Sequence, residues 1–403
     1  MLVLLWHPSV GAIGKATASV KTRRTIAGGA LVVLCSNLLH AQAQTTCLSF
    51  KDAVNIETGL FASGVVIEDF NADGAADLAV TNQNSNNVSI LLGDGTGTFK
   101  GKMDFPAGGA PQRIAAADLD GDRNLDLVLP ITTGNAVAIL FGDRQGRFAE
   151  PRLFPVVGGP FMTVVADFNA DARLDVAVGT QTAGWRRVAL LLGNGSRRFR
   201  APSYFGSFES APTALGVGDF NRDGKLDIAA GAGPNVPPGA NNLSILLGEG
   251  KGGFSAPTYF TVGPAPQSMS IADFNGDGFS DLAISNSLPS GTNSTVSVLH
   301  GDGKGGFAER LPLETGILGR GTGVADFNGD GNLDLVVANN ASNSVSVLLG
   351  DGKGHFTART DFPVGQKPRK LAVGDLNHDG RADIVTPNTG SNNISILINN
   401  CTR

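Results

Sequence analysis

The hydrophobic positions of this chain fall in short runs that recur about every 50 residues. Each unit has one apolar run such as Gly64-Val65-Val66-Ile67, a second such as Leu78-Ala79-Val80, and a third that alternates, as in Val88-Ser89-Ile90-Leu91-Leu92. Runs of four to six residues bounded by Gly, Asn, Asp and Pro predict strands rather than helices. A Gly-rich turn follows the third run and ends in Phe, at Phe99, Phe148, Phe199, Phe254, Phe307 and Phe356. With a fourth extended piece after this turn, each unit is predicted to be a four-stranded meander.

An aspartate-rich nonapeptide separates the first two runs of every unit. It occurs seven times, from DFNADGAAD to DLNHDGRAD, and the copies start at residues 69, 118, 167, 219, 273, 326 and 375. The spacing is therefore 49 to 54 residues, which is typical of repeat architectures such as propellers and solenoids. Seven such units fill the chain after its first 43 residues and leave no room for a second domain.

These units predict an all-β fold, a seven-bladed β-propeller of four-stranded antiparallel blades, because blades packed around an axis protect most sheet edges. A linear solenoid is the alternative. The two ends of the repeat region favour the ring, because the last unit stops at Ile398 without its Gly turn, whereas Phe50 lies 19 residues before Asp69, as Phe356 does before Asp375. Residues from about 48 to 58 are therefore expected to form the outer strand of the last blade.

The same register places Cys47 and Cys401 beside each other in one hairpin. An exported protein favours a disulfide between them, with two unpaired thiols as the alternative. The bond would close a loop of some 350 residues and stabilise the fold by roughly 4 to 5 kcal/mol in the chain-entropy account.

The first 43 residues have the three parts of a secretory signal peptide: four basic residues and no acidic one, an apolar run over 26–39, and Ala41-Gln42-Ala43. We expect cleavage after Ala43, leaving 44–403 as a secreted or cell-surface propeller. An N-terminal membrane anchor is the alternative, but the apolar run is shorter than the roughly 20 residues that cross a bilayer.

Charge excludes one class of partner. The formal charge is −5, and loss of the four basic residues of the leader makes it −9. A nucleic-acid-binding domain should be basic, so no nucleic acid is expected. No later apolar run is long enough to span a membrane, and we expect a monomer.

The loops carry hard oxygen donors at positions 1, 3, 5 and 9, a set that suits Ca²⁺ better than Mg²⁺, which requires a strict octahedron. The alternative is that Asp and Asn serve only as turn formers, but this does not explain why position 9 is always Asp. The predicted ligands are Asp69, Asn71, Asp73, Asp77, Asp118, Asp120, Asp122, Asp126, Asp167, Asn169, Asp171, Asp175, Asp219, Asn221, Asp223, Asp227, Asp273, Asn275, Asp277, Asp281, Asp326, Asn328, Asp330, Asp334, Asp375, Asn377, Asp379 and Asp383.

Up to seven Ca²⁺ ions are thus expected, and they would change the formal charge from −9 to +5. Because crowded carboxylates destabilise a fold without a cation, metal binding should be coupled to folding. Position 6 is Gly except at Arg123 and Ala172, where a left-handed backbone costs about 1 kcal/mol. The loops 118–126 and 167–175 should therefore bind most weakly, although Asp120 compensates partly in the first of them.

The loops and their flanking strands resemble the FG-GAP or VCBS repeats, which also form the head of integrin α-subunits. Gly109-Ala110-Pro111 even retains the literal Gly-Ala-Pro. The resemblance implies that the loops join the first and second strands of each blade on one face, and that partners bind the opposite face. The chain departs from integrins in having acidic loops in all seven blades and no leg domains.

Function is predicted to be non-enzymatic binding or adhesion outside the cell, with a protein or polysaccharide partner. Three loops between second and third strands are the candidate ligand surface: 182–187, 231–242 and 286–295. Trp185 is the only Trp after the leader, and beside Arg186 and Arg187 it suits a binding hot spot. Its alternative role is packing against a neighbouring blade.

Two other functions are the alternatives. A lectin would use aromatic platforms, but Trp185, Tyr204 and Tyr259 are the only Trp or Tyr residues after the leader. A polysaccharide lyase or hydrolase would need an acid–base pair in a cleft, whereas the three histidines after residue 43 lie in or near turns and are expected to face solvent. They are His300, His355 and His378.

Overall fold

A computed structural model describes residues 47–233, 242–287, 293–309 and 312–401, and within these ranges the fold is all-β. The predicted seven-bladed β-propeller is confirmed: seven antiparallel sheets of four strand positions each follow one another around a ring. The proposed signal peptide, residues 1–43, lies outside the described residues. No helix in the described part of the chain has the length and apolar character to cross a membrane.

The strands are numbered in chain order, and the first, β1 (Val54–Glu57), belongs to blade 7. Blade 1 contains β2 (Ala62–Glu68), β3 (Asp77–Asn82), β4 (Asn87–Gly93) and β5 (Phe99–Pro106); blade 2 contains β6 (Ala115–Ala117), β7 (Asp126–Ile131), β8 (Ala136–Leu140) and β9 (Arg152–Pro155); blade 3 contains β10 (Pro160–Ala166), β11 (Asp175–Thr180), β12 (Val188–Leu191) and β13 (Ser203–Phe205). Blade 4 contains β14 (Pro212–Gly218), β15 (Asp227–Ala232), β16 (Leu243–Leu246) and β17 (Thr258–Phe260); blade 5 contains β18 (Pro266–Ala272), β19 (Asp281–Asn286), β20 (Asn293–Gly301), β21 (Phe307–Glu309) and β22 (Leu313–Ile317). Blade 6 contains β23 (Gly319–Ala325), β24 (Asp334–Asn339), β25 (Ser344–Leu348) and β26 (Thr360–Pro363); blade 7 contains β27 (Ala372–Gly374), β28 (Asp383–Asn388) and β29 (Asn393–Leu397).

The ring closes through its first and last strands, as predicted. Strand β1 pairs antiparallel with β29, with Val54 opposite Ile396 and Ile56 opposite Ile394. Next to this pair Cys47 and Cys401 form a disulfide with their Cα atoms 5.5 Å apart. Blade 7 therefore contains both ends of the repeat region, which excludes a linear solenoid.

The second strand of every blade is buried along its whole length. It lies inside its sheet with a neighbouring blade on each face, so its apolar residues form a continuous run instead of alternating with polar ones. The core consists of clusters between adjacent blades. One of them joins Val65 and Leu78 of blade 1 to Val385 and Ile396 of blade 7.

The Phe that ends each Gly-rich turn has a place in this inter-blade packing. Phe148 of blade 2 meets Phe70 of the blade 1 loop edge-on, with ring centroids 5.7 Å apart. Phe50 packs on Phe327 of blade 6 in the same way, at 5.9 Å. The residues before β1 thus take the role that Phe356 and its equivalents have elsewhere in the ring.

We expect the Cys47→Ser/Cys401→Ser double variant to lose about 4 kcal/mol of unfolding free energy, because the bond restrains a very long loop in the unfolded chain. Urea unfolding of the oxidised protein and of the variant measures the difference. Reductant should lower the stability of the wild type to that of the variant and leave the variant unchanged. Equal stability of the oxidised wild type and the variant would contradict this prediction.

Candidate metal centres

The seven acidic loops lie on one face of the ring. Each connects the first strand of its blade to the second, as residues 69–77 connect β2 to β3. The Gly-rich turn of the next blade lies against the loop, since Gly146 N donates to Phe70 O (3.2 Å) and Gly305 N to Phe220 O (2.9 Å). The loops and turns therefore alternate around this face, and backbone hydrogen bonds of this kind join five of the seven pairs of neighbouring blades.

Position 9 of each loop is a fully buried aspartate. In blade 1, Asp77 Oδ2 accepts from Phe70 N (3.0 Å) and Oδ1 from Gly93 N (2.7 Å), at the end of the third strand. The same two-oxygen arrangement holds Asp126, Asp175, Asp227, Asp281, Asp334 and Asp383, the last with Asn399 N in place of the glycine. This carboxylate links the loop to the end of the third strand, which explains why no other residue type occurs there.

Burial raises the pKa of Asp77 to about 6, although the two N–H donors act in the opposite direction. Burial also raises the pKa of Asp126, Asp175, Asp334 and Asp383 to about 7. Neighbouring carboxylates of the same loop raise it further in each case. A nearby divalent cation would favour the charged form of these groups.

The side chains at positions 1 and 3 turn into the loop. Asp73 N donates to both Asp69 Oδ1 (3.2 Å) and Asn71 Oδ1 (2.9 Å), so these two oxygens converge on one N–H group. In the second loop, carboxylate oxygens of Asp118, Asp120 and Asp126 lie within 4.8 Å of one another. All these candidate ligand atoms are oxygens. Each oxygen of the position 9 carboxylate keeps a second lone pair, except that Asp281 Oδ2 of the fifth loop also lies 3.1 Å from His300 Nδ1. The donor set fits Ca²⁺.

The backbone is left-handed at two positions of every loop. Position 6 has φ between 63° and 90° in all seven copies, as the glycine pattern predicts. Position 4 is left-handed too, which the sequence did not reveal because its residues are Ala72, Gly121, Ala170, Arg222, Gly276, Gly329 and His378.

Counting both positions ranks the loops by strain. The third loop has two non-glycine residues, Ala170 and Ala172, and each costs about 1 kcal/mol or more. The fifth and sixth loops, 273–281 and 326–334, have glycine at both positions. The remaining loops have one strained residue each, so Arg123 alone does not separate the second loop from the first, fourth and seventh.

Arg197 gives a separate reason to expect weak metal binding in the second loop. Its guanidinium bonds to Asp120 Oδ2 and, at 3.1 Å, to Asp122 Oδ2, and lies 4.7 Å from the centre of the Phe141 ring. The hydrogen bond to Asp120 raises the pKa of Arg197. The sequence predicts that Asp120 partly compensates for Arg123 by binding metal. In the structure, however, this carboxylate is already paired with Arg197 of the neighbouring blade.

One histidine lies elsewhere than expected. His300 does not face solvent: its side chain is 11% exposed, and Nδ1 is 3.1 Å from Asp281 Oδ2. The prediction was wrong because His300 occupies the position of Leu92 and Leu349 in other blades, where the third strand packs on the next turn. Superposing the repeats would have shown this. His355 and His378 are exposed.

The opposite face contains Trp185, in the turn between β11 and β12. It is 43% exposed and packs edge-on against Tyr204 of its own blade, with centroids 5.6 Å apart. Arg186 bonds to the carbonyl of Glu209, whereas Arg187 is half-buried. Trp185 is therefore partly exposed and supported from one side. In the other two candidate loops, residues 234–241 and 288–292 lie outside the described ranges.

Comparison with known proteins gives a family match and similar folds among solved structures. A family model described as FG-GAP-like repeat matches residues 69–129, 167–230, 273–337 and 326–386. A search of curated proteins finds no match.

Three solved structures share the fold. Hydrazine synthase of Kuenenia stuttgartiensis is 14% identical, with TM-score 0.59, covering 88% of this chain and 100% of that chain. The V. cholerae biofilm matrix protein Bap1 is 12% identical, with TM-score 0.50, covering 88% and 91%. A putative 6-phosphogluconolactonase of Bacteroides fragilis is 15% identical, with TM-score 0.56, covering 77% and 86%. At these identities the likeness concerns the fold alone.

The structural role of the position 9 aspartate can be separated from the role of the exposed loop carboxylates in the fourth blade. In chelator, Asp227→Asn should lose about 1 to 3 kcal/mol of unfolding free energy, because its amide N–H₂ would face a buried N–H donor. The matched variant Asp223→Asn changes an exposed carboxylate of the same loop and should cost under about 1 kcal/mol. Urea unfolding measures both variants. Equal losses would show that position 9 has no special structural role.

Proposed function

The chain belongs to the FG-GAP-like repeat family, and from this premise we propose that it is an exported, calcium-binding propeller that acts as a non-enzymatic binding or adhesion module. Its partner would be an extracellular protein or polysaccharide. The observation that carries the proposal is the repetition of one oxygen-only ligand arrangement in all seven blades, on one face of the ring.

Calcium would be held by the side chains at positions 1, 3, 5 and 9 of each loop. Each carboxylate cluster is costly in the absence of a cation because like charges lie close together. The pKa of Asp126 is raised mainly by burial and further by this repulsion. Metal that binds only the folded chain stabilises it by mass action. The loops would thus stiffen one face and leave the other for partners.

A partner surface is proposed around Trp185. Val157 is 48% exposed, and its N–H donates to the Tyr204 hydroxyl at 2.9 Å, while Tyr204 supports the Trp185 ring. Two aromatic rings and the Val157 backbone thus meet at the boundary of blades 2 and 3, held by a hydrogen bond and a ring contact. A rigid, exposed Trp suits a hot spot for a protein or one stacking platform for a sugar.

Catalysis is not part of this proposal. His300 is paired with Asp281, and the loop carboxylates are assigned to metal. The shared fold adds nothing on this point, because one fold serves unrelated functions. Cleavage of a polysaccharide by the purified protein would overturn the non-enzymatic assignment.

Calcium should raise the melting temperature of the chelated protein by several degrees, and calorimetric titration should show several sites. Asp326→Asn/Asp330→Asn, in an unstrained loop, should reduce this stabilisation more than Asp167→Asn/Asp171→Asn in the doubly strained third loop. Scanning calorimetry with and without calcium compares the two variants. A melting temperature that chelator leaves unchanged would exclude coupled calcium binding.

Trp185→Ala should weaken binding to the captured partner at least tenfold on an array of glycans and matrix proteins in calcium, because hot-spot truncation costs about 2 kcal/mol or more. Tyr259→Ala is the matched control, since Tyr259 is 47% exposed on the outer strand of blade 4. Equal effects of the two variants would place the partner elsewhere on the ring.

A further inference from the structure

The centre of the ring contains four cationic side chains from three blades. Arg113 precedes the inner strand of blade 2, Arg320 lies in that of blade 6, and Arg369 and Lys370 precede that of blade 7. Arg113 and Lys370 line a cavity of about 210 Å³ between the inner strands, together with Thr163, Met162, Leu215 and Leu371. Blades 2, 6 and 7 thus place four cationic side chains around the axis of the ring.

The partners of these cations are neutral. Lys370 Nζ donates to Ser268 Oγ at 2.8 Å, and Arg113 Nε points at Met162 Sδ at 3.2 Å. Arg320 and Arg369 donate to the side-chain oxygens of Gln267 (2.5 Å) and Gln112 (3.4 Å). Within the described ranges, no carboxylate forms an ion pair with any of the four.

Two polar atoms at the cavity have no hydrogen-bond partner among the described residues: Arg113 Nη1 and Thr163 Oγ1. Arg113 is only 6% exposed. An arginine stays protonated in proteins, so its charge cannot be removed by loss of a proton. A buried charge without a counter-charge is strongly unfavourable. Both of these unpartnered groups can donate a hydrogen bond, so a ligand that accepts hydrogen bonds would satisfy them.

Mutual repulsion among the four cations increases the free-energy cost of burying them. Burial lowers the pKa of Lys370 well below its usual range, and the charges of Arg113 and Arg369 lower it further. Burial and the charge of Arg320 likewise lower the pKa of Arg369 to about 10. The three half-buried cations and the buried Arg113 therefore form one electropositive site, of which Arg113 and Lys370 line the cavity.

We propose that this central cavity binds one small oxyanion, held by Arg113 and Lys370 and assisted by the charges of Arg320 and Arg369. An inorganic anion such as sulfate or phosphate and the carboxylate of a small organic acid share this chemistry. The volume equals that of about seven waters at roughly 30 Å³ each, so it accommodates such an anion. Arginine supplies the planar fork that suits oxyanions.

The site is separate from the metal loops. Arg113 precedes Asp118 by five residues, which is about 17 Å along an extended strand. The acidic face and the cationic centre are therefore different binding regions, and anion binding does not depend on the proposed calcium binding. If the proposed calcium binding or the proposed anion binding is disproved, the other proposal is unaffected.

The test is calorimetric titration of the full mature chain in calcium, with sodium sulfate in one arm and sodium malonate in the other. Sodium chloride at matched ionic strength is the reference. We expect one saturable site and a higher melting temperature with at least one of the two anions. Tighter sulfate binding would identify an inorganic anion, and tighter malonate binding a carboxylate ligand. No saturable effect beyond that of chloride with either anion would overturn the proposal.

Arg113→Met should weaken anion binding at least tenfold, because it removes the buried charge and keeps a long apolar side chain beside Met162. Without anion the variant should be as stable as the wild type or more so, since an uncompensated charge is gone. Arg152→Met, an exposed arginine on β9, is the control and should bind as the wild type does. Unchanged affinity in a folded Arg113→Met chain would overturn the assignment, and if that variant does not fold, the wild-type titration alone decides.

Discussion

The carboxylate of Asp77 is fully buried and accepts hydrogen bonds from two N–H groups, one in the loop that contains it and one 16 residues later at Gly93. Every blade repeats this contact. It sets the distance between the acidic loop and the third strand, and it places the loop where the next blade can reach it. A side chain that places its oxygens differently would leave one of these buried N–H groups unpaired. Each repeat therefore keeps the same residue.

The contacts between blades build on this arrangement. In blades 1, 2, 4, 5 and 6 the Gly-rich turn donates a backbone hydrogen bond to the loop of the blade before it. The Phe at the end of the turn packs against that loop, as Phe148 does on Phe70. Blade 7 uses the residues before β1 for the same purpose, with Phe50 on Phe327. The loops, the turns and the disulfide thus form a closed set of links, and calcium would strengthen a face that is already connected.

Charge is distributed unevenly through the molecule. The acidic side chains are concentrated on one face, while four cations gather at the axis. Some cations also lie on the acidic face, where Arg197 pairs with Asp120 and Asp122 across blades, and Lys225 and Arg381 pair with Asp223 and Asp379 within their own loops. The apolar surface around Trp185 lies apart from both regions. The proposed sites for calcium, for a small anion and for a larger partner therefore lie in three different regions of the ring.

The sequence alone determined the architecture, because seven copies of one pattern specify the strands, the number of blades and the closing register of Phe50. It also identified the left-handed backbone at position 6, where glycine is a direct signal of conformation. It did not identify position 4, where Ala72 and His378 show no such signal, and it did not predict the burial of His300. Only the tertiary structure brought together the cations of blades 2, 6 and 7 and paired Arg197 with the loop of another blade. Local patterns report local geometry, whereas contacts across the ring depend on how the blades close.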